Sequence, residues 1–201
     1  MVKRIINVLI FAFIFALYVI SFLMIFESFK KRKLEILEAS AIDTFEKSVK
    51  IEKVTVEDID NDKTSNMGLD YNGYTLLGRI EIPSIGFSSV IIKENTYHAM
   101  DLGVVMSYGD ALNEPGGYII SGHNFRGGSS FFYGIKNLDS GDKVYITDSS
   151  GRQLEYTVYE KIRNFGPTDT SIYKKYDGYH LTLVTCENGG ASRIVIKASA
   201  S

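Results

Sequence analysis

Residues 76–201 predict an all-β domain of the barrel or sandwich kind, and three observations carry that expectation. Short β-prone runs recur at 77–82, 87–92, 118–120, 143–147, 154–162, 181–186 and 194–196, with polar or glycine-rich turns between them. Tyrosine and phenylalanine are abundant (13 and 12) and tryptophan is absent, a mix that suits pleated surfaces. Few helical patterns occur beyond residue 76, and no internal repeat is found. With 201 residues in all, the chain is long enough for one domain with a full core plus a tail.

Ahead of that domain the composition changes twice. Residues 5–26 are apolar apart from Asn7 and Ser21, with Tyr18 among them. This is the length a helix needs to cross a hydrocarbon core. It exceeds a signal-peptide core, and no Ala-x-Ala-like cleavage site follows, so an uncleaved transmembrane helix is expected; a cleaved signal is the alternative. Lys3 and Arg4 precede the run and Lys30, Lys31, Arg32 and Lys33 follow it. Counted naively, those charges place the C-terminal domain in the cytoplasm. Residues 27–75 are charged, with Leu34, Ile36, Leu37, Ala41, Ile42 and Phe45 at roughly helical spacing. The chain thus divides into a short tail (1–4), a transmembrane helix (5–26), a charged linker or amphipathic helix (27–75) and the β domain (76–201). Asp58, Asp60 and Asp62 alternate as in a calcium loop, but Lys63 and Leu69 stand where such a loop needs Gly and Glu, so a solvated linker is expected.

Within the β domain, Pro83 ends the run 77–82. Thr96 is placed as the N-cap of a short helix reaching residue 102. Residues 114–117 read as a turn, and 118–120 runs into Ser121-Gly122-His123. Residues 130–138 suggest a helical turn. The runs 143–147 and 154–162 form a hairpin around 148–151. A loop extends from about Phe165 to His180.

The last two runs hold the chemistry. Cys186, the only cysteine, ends one of them, and Glu187-Asn188-Gly189-Gly190 follows as a turn before Arg193 opens the next. A lone cysteine is usually a small buried hydrophobe, and it excludes an internal disulfide. At a strand end beside glycines, however, it is reachable. A neighbouring imidazolium or guanidinium favours the thiolate, so His123 as acid–base partner and Arg193 as oxyanion donor make a nucleophile usable. The backbone N–H of Glu187 is a second candidate donor. His98 and His180 are read as ordinary surface or hydrogen-bonded histidines. The net charge of −2 gives no reason to expect nucleic acid as a partner.

Thr182-Leu183-Val184-Thr185-Cys186 resembles the TLxTC signature of sortases, the cysteine transpeptidases of Gram-positive bacteria. Ser121-Gly122-His123-Asn124 is similar to their histidine segment, Arg193 matches the arginine that follows the nucleophile, and residues 78–85 resemble the first barrel strand. The resemblance covers roughly 76–198. It implies a closed eight-stranded β-barrel with short helices and with Cys186, His123 and Arg193 on one rim. It also implies Thr185, Ser121 and Asn124 as substrate contacts. The implied reaction attacks the Thr–Gly bond of an LPxTG-like sorting signal on a secreted protein. The thioacyl enzyme then passes to an amine of a peptidoglycan precursor or pilin, with the catalytic domain extracellular. No cofactor is required by that chemistry. Glu81, Asp101 and Asp110 are the carboxylates available for a calcium ion, with solvated roles expected for each. The absent Asp-Pro-aromatic lid segment and the short 162–180 loop point to a class D-like subfamily. A cysteine peptidase with water as acceptor, and a membrane-tethered binding module with an inert thiol, are the alternatives.

Overall fold

The computed structural model describes residues 2–61, 67–124 and 132–201. The chain forms two compact units, Met1–Leu37 and Glu38–Ser201. Helix α1 (Val2–Ser48) supplies the first unit and the start of the second. In the first unit the apolar side chains from Leu9 to Phe29 are exposed, and the helix is long and apolar enough to cross a membrane.

The second unit contains more of the 27–75 segment than a linker requires. The end of α1 buries Ala41 and Phe45 completely, and Val49 follows them into the interior. Arg79 holds Glu46 at 2.7 Å from the strand side. Strand β1 (Glu52–Lys53) and helix α2 (Val56–Asn61) come next. Thr55 caps α2 reciprocally: its N–H and hydroxyl both donate to Asp58 Oδ2 at 2.8 Å, and the Asp58 N–H donates back to Thr55 Oγ1. The Thr55 backbone N–H, then its hydroxyl, hold the Asp58 carboxyl below its ordinary value. The aspartate itself stays exposed, within a short helix. Asp58 is a capping residue and Ile59, 3 % exposed, belongs to the main core. Asp62 and Lys63 lie outside the described residues.

The remaining elements are β2 (Leu69–Tyr71), β3 (Tyr74–Ile82), β4 (Phe87–Ile92), helix α3 (Tyr97–Met100), β5 (Val104–Tyr108), β6 (Tyr118–Gly122), β7 (Lys143–Asp148), β8 (Arg152–Phe165), β9 (His180–Glu187) and β10 (Ser192–Ser199). Pairing runs β8-β10-β9-β6-β5-β4-β3, and β7 bridges β3 back to β8. Eight strands therefore close into a barrel, with β1 appended to β8 and β2 to β3. Closure removes the exposed edges of an open sheet. Thr96 caps α3 as expected, its hydroxyl oxygen accepting the Ala99 N–H at 3.1 Å. The turn expected within 130–138 is a short 3-10 helix at Phe132–Asn137; the start of that segment lies outside the described residues.

Period two decides which side chains fill the barrel. Ile80 and Ile82, Tyr118 and Ile120, Val144 and Ile146, Leu181 and Leu183, and Ile194 and Ile196 all join one interior cluster. The alternate residues Ile119, Val184 and Val195 form a separate cluster with Ile172 of the loop after β8. Among the interior groups, Asn113 is fully buried and left-handed (φ 55°). Its amide donates to the carbonyls of Ile146 and Arg152, and its oxygen accepts from the Tyr156 hydroxyl at 3.2 Å. Burial pushes the Tyr118 and Tyr156 hydroxyls up, so both remain neutral donors.

Candidate active site

The parity that packs the barrel also sorts the expected site residues. Leu181 and Leu183 point inward, so Val184 and Cys186 point outward on β9. Ile194 and Ile196 point inward, so Arg193 and Val195 point outward on β10. Tyr118 and Ile120 point inward, so Ile119 and Ser121 point outward on β6, with His123 next in phase just beyond its end. Two registers then bring the segments together. Cys186 and Arg193 are direct cross-strand partners, a relation that sets Cβ atoms roughly 5 Å apart. The parallel pairing of β6 with β9 aligns Gly122 with Thr185, which places His123 beside Cys186 at the same end of the sheet.

A cavity of about 610 Å³ opens over this end. Cys186, His123 and Arg193 line it, with Ser121, Asn124, Thr185, Tyr97, Met100 and Tyr173. The residues lie on outward positions at the strand ends rather than inside the barrel, which refines the rim location that the resemblance implies. Cys186 is a free thiol and is half-buried.

The surrounding contacts assign local roles. Arg193 Nη1 donates to the carbonyls of Gly190 at 2.8 Å and Ser192 at 2.9 Å. Both acceptors lie in or beside the turn after Cys186, where Asn188, Gly189 and Gly190 all take positive φ. Glycine suits two of those positions because it meets no Cβ penalty there. The Glu187 side chain turns away from the chemistry. It is 5 % exposed and accepts from Arg163 Nε at 2.7 Å, from Arg163 Nη2 and from the Asn164 N–H at 2.8 Å. The Asn164 N–H foremost, with Arg163, holds its carboxyl below the ordinary range against the opposing effect of burial. The residue after the cysteine is thereby anchored to the end of β8.

Two further hydrogen bonds cross between β6 and β9. Thr185, 2 % exposed, donates its hydroxyl to the Gly122 carbonyl at 2.7 Å, and the Asn124 amide donates to the Cys186 carbonyl. Each bond grips the residue adjoining one reactive side chain. Ser121 shares a 2.7 Å hydrogen bond with Ser107. Tyr97, Met100, Ser107 and Tyr173 were not legible as site residues, because nothing local marks them; α3, β5 and the loop after β8 bring them in.

His98 is exposed, and His180 stacks on Tyr176 with ring centroids 4.7 Å apart, so neither belongs to the cavity. Among the described residues no three of His, Cys, Asp or Glu converge where a metal ion could sit. Glu81 pairs with Arg79 at 3.0 Å, Asp101 faces His123, and Asp110 is 97 % exposed in its side chain.

Comparison with known proteins agrees with this fold. The family model of the sortase domain matches residues 80–201, more than half of the chain, and the chain belongs to the sortase family. It is 28 % identical over 118 residues to sortase A of Listeria monocytogenes, covering 59 % of this chain and 52 % of that protein. It is 25 % identical over 158 residues to sortase A of Bacillus anthracis, covering 79 % of this chain and 67 % of that one. The matched part thus spans about half to two thirds of these relatives. Among solved structures, Listeria monocytogenes sortase A superposes with a TM-score of 0.58 at 26 % identity, covering 63 % of this chain and 87 % of that one. The Clostridium perfringens sortase D5 transpeptidase shares the fold with a TM-score of 0.61 at 22 % identity, covering 84 % and 99 %.

Proposed function

We propose that this protein is a membrane-anchored cysteine transpeptidase acting on secreted proteins with an LPxTG-like sorting signal. The observation that carries the reading is the pair of registers, Cys186 against Arg193 and Gly122 against Thr185, which gathers thiol, imidazole and guanidinium on one cavity. In the proposed reaction the Cys186 thiolate attacks the carbonyl carbon of the Thr–Gly bond. Arg193, and the Glu187 N–H as a second donor, stabilise the oxygen as it becomes negative. His123 gives its proton to the leaving glycine amine as the C–N bond breaks, leaving a thioester on Cys186. An incoming amine attacks that thioester and loses a proton to His123. The new amide forms as the sulfur departs.

The acceptor is an amine of a peptidoglycan precursor or of another surface protein. No metal ion or organic cofactor takes part in the proposed steps. In this reading Ser121 and Asn124 border the bound signal, and Thr185 serves chiefly to fix the His123 segment. A class D-like member is proposed from the short 162–180 loop and from the lack of an Asp-Pro-aromatic segment in the sequence. The apolar helix anchors the protein and the second unit faces outward, against the naive charge count.

The test is incubation of the full chain in detergent with a library of LPxTG-like peptides, followed by intact mass. A thioacyl adduct on the wild type, lost in Cys186→Ala with the fold retained, is expected; turnover surviving in Cys186→Ala excludes the mechanism. Added amines separate transfer from hydrolysis. Labelling of Cys186, the only cysteine, by a membrane-impermeant maleimide on intact cells tests the orientation, and protection until lysis refutes an outward domain.

A further inference from the structure

The short helix α3 meets His123 from outside the barrel sheet. The Tyr97 ring lies against the imidazole with centroids 4.8 Å apart, and Asp101, at the end of α3, places Oδ1 4.0 Å from His123 Nε2. The two side chains are 28 % and 12 % exposed. Asp101 does not line the cavity that holds Cys186, whereas Tyr97 does. Among the described residues, Asp101 and Tyr97 from α3 stand against the imidazole, and Cys186 from β9 and Arg193 from β10 line the same cavity.

We propose that Asp101 is a positioning residue for the reaction, acting through His123 and not on substrate. The inference rests on the transpeptidase reading above. At 4.0 Å the contact is Coulombic rather than a hydrogen bond. It therefore does little for a neutral ring and most when the ring carries positive charge. That charge is present whenever His123 holds the proton that the thiol has given up. With the carboxylate at Nε2, Nδ1 is the nitrogen that exchanges protons with sulfur and with the leaving or incoming amine. Arg193 opposes a second cation in the same cavity, and Asp101 offsets that repulsion from the far side of the ring. In this proposal the Tyr97 ring, packed against the imidazole, limits its movement. The Glu187 carboxylate cannot take this role, because Arg163 and Asn164 hold it elsewhere.

The test compares Asp101→Asn and Asp101→Glu with the wild-type full chain in two assays. One measures kcat and KM for a sorting-signal peptide. The other measures alkylation of Cys186 by neutral iodoacetamide without peptide, which reads thiolate formation whatever the substrate. Screened as strongly as in bulk water, unit charges at this distance give roughly a fivefold effect. Asp101→Asn is expected to lower kcat and the alkylation rate by about that factor with KM within about twofold, while Asp101→Glu keeps most of both. Wild-type alkylation in Asp101→Asn, or equal losses in Asn and Glu variants, overturns the proposal. Failure of the transpeptidase reading shows separately, as a wild type that alkylates readily yet forms no adduct with any peptide.

Discussion

Arg193→Lys tests whether the guanidinium fork, and not merely a positive charge, serves the proposed reaction. Arginine carries five N–H donors in a fixed plane, and both protons on Nη1 are taken by the Gly190 and Ser192 carbonyls. The side chain also lines the cavity shared with Cys186, so in the proposed reaction Nε and Nη2 are the donors left for the substrate oxygen. The side chain ties down the turn after Cys186, and the proposed reaction asks it at the same time to present a donor to the developing oxyanion. A lysine ammonium is one point with rotatable protons. If it satisfies the carbonyls it withdraws from the oxyanion, and if it reaches the oxyanion it leaves the turn unpinned. Losing one preorganised oxyanion donor costs about 10²–10³ in kcat, or ~2.7–4 kcal/mol. The substitution is expected to lower kcat at least about a hundredfold with little change in KM, because the interaction matters most in the transition state. Single-turnover acyl-enzyme formation, followed by quench and intact mass, measures it. A variant within about threefold of wild-type kcat refutes the assignment of Arg193 as oxyanion donor.

Other predictions concern the frame that holds the site. Glu187→Gln is expected to destabilise the second unit by about 1.5 kcal/mol, since charge-assisted bonds to Arg163 and Asn164 weaken while the half-exposed Arg163 limits the loss; urea unfolding followed by tyrosine fluorescence measures it. The lowered Glu187 carboxyl makes the same group a source of acid sensitivity. Its contribution is complete above the ordinary value of 4.5 and is lost as pH falls below that through the folded-state value. The acid limb of the stability profile should therefore be shallower in Glu187→Gln than in wild type, and identical limbs would contradict the linkage. Phe45→Ala removes a fully buried ring from the end of α1 and should cost about 3–5 kcal/mol; a near-neutral effect would mean that this part of the helix is not part of the folded unit. At Gly78 a Cβ would overlap the carbonyl oxygen of Thr147 where β3 meets β7, so Gly78→Ala should lower the melting temperature by several degrees. An unchanged melting temperature would mean that the barrel relaxes there without loss.

Much of this architecture was legible locally. The runs at 87–92, 143–147 and 181–186 show their strand character through β-branched and aromatic residues bounded by turn chemistry, and Thr96 marks its own helix. Strand β5 escaped, because Val104 and Val105 are followed by a polar and glycine-rich stretch without clear alternation. The charged composition of 27–75 also hid its buried members, since Phe45 and Ile59 are isolated apolar residues whose partners lie far along the chain.

The strand periodicity, the apolar helix, and the identity of the thiol, imidazole and guanidinium follow from composition and from contacts between near neighbours in the chain. That the three groups share one outward face, that Thr185 and Asn124 lace β6 to β9, and that Asp101 stands behind His123 are settled by the folded barrel alone. The lacing, and the place of His123 beside Cys186, depend on register between β6 and β9, strands some sixty residues apart. Register is fixed by how the whole barrel closes around its core, and a one-residue slip of β9 would turn Cys186 inward and Thr185 outward.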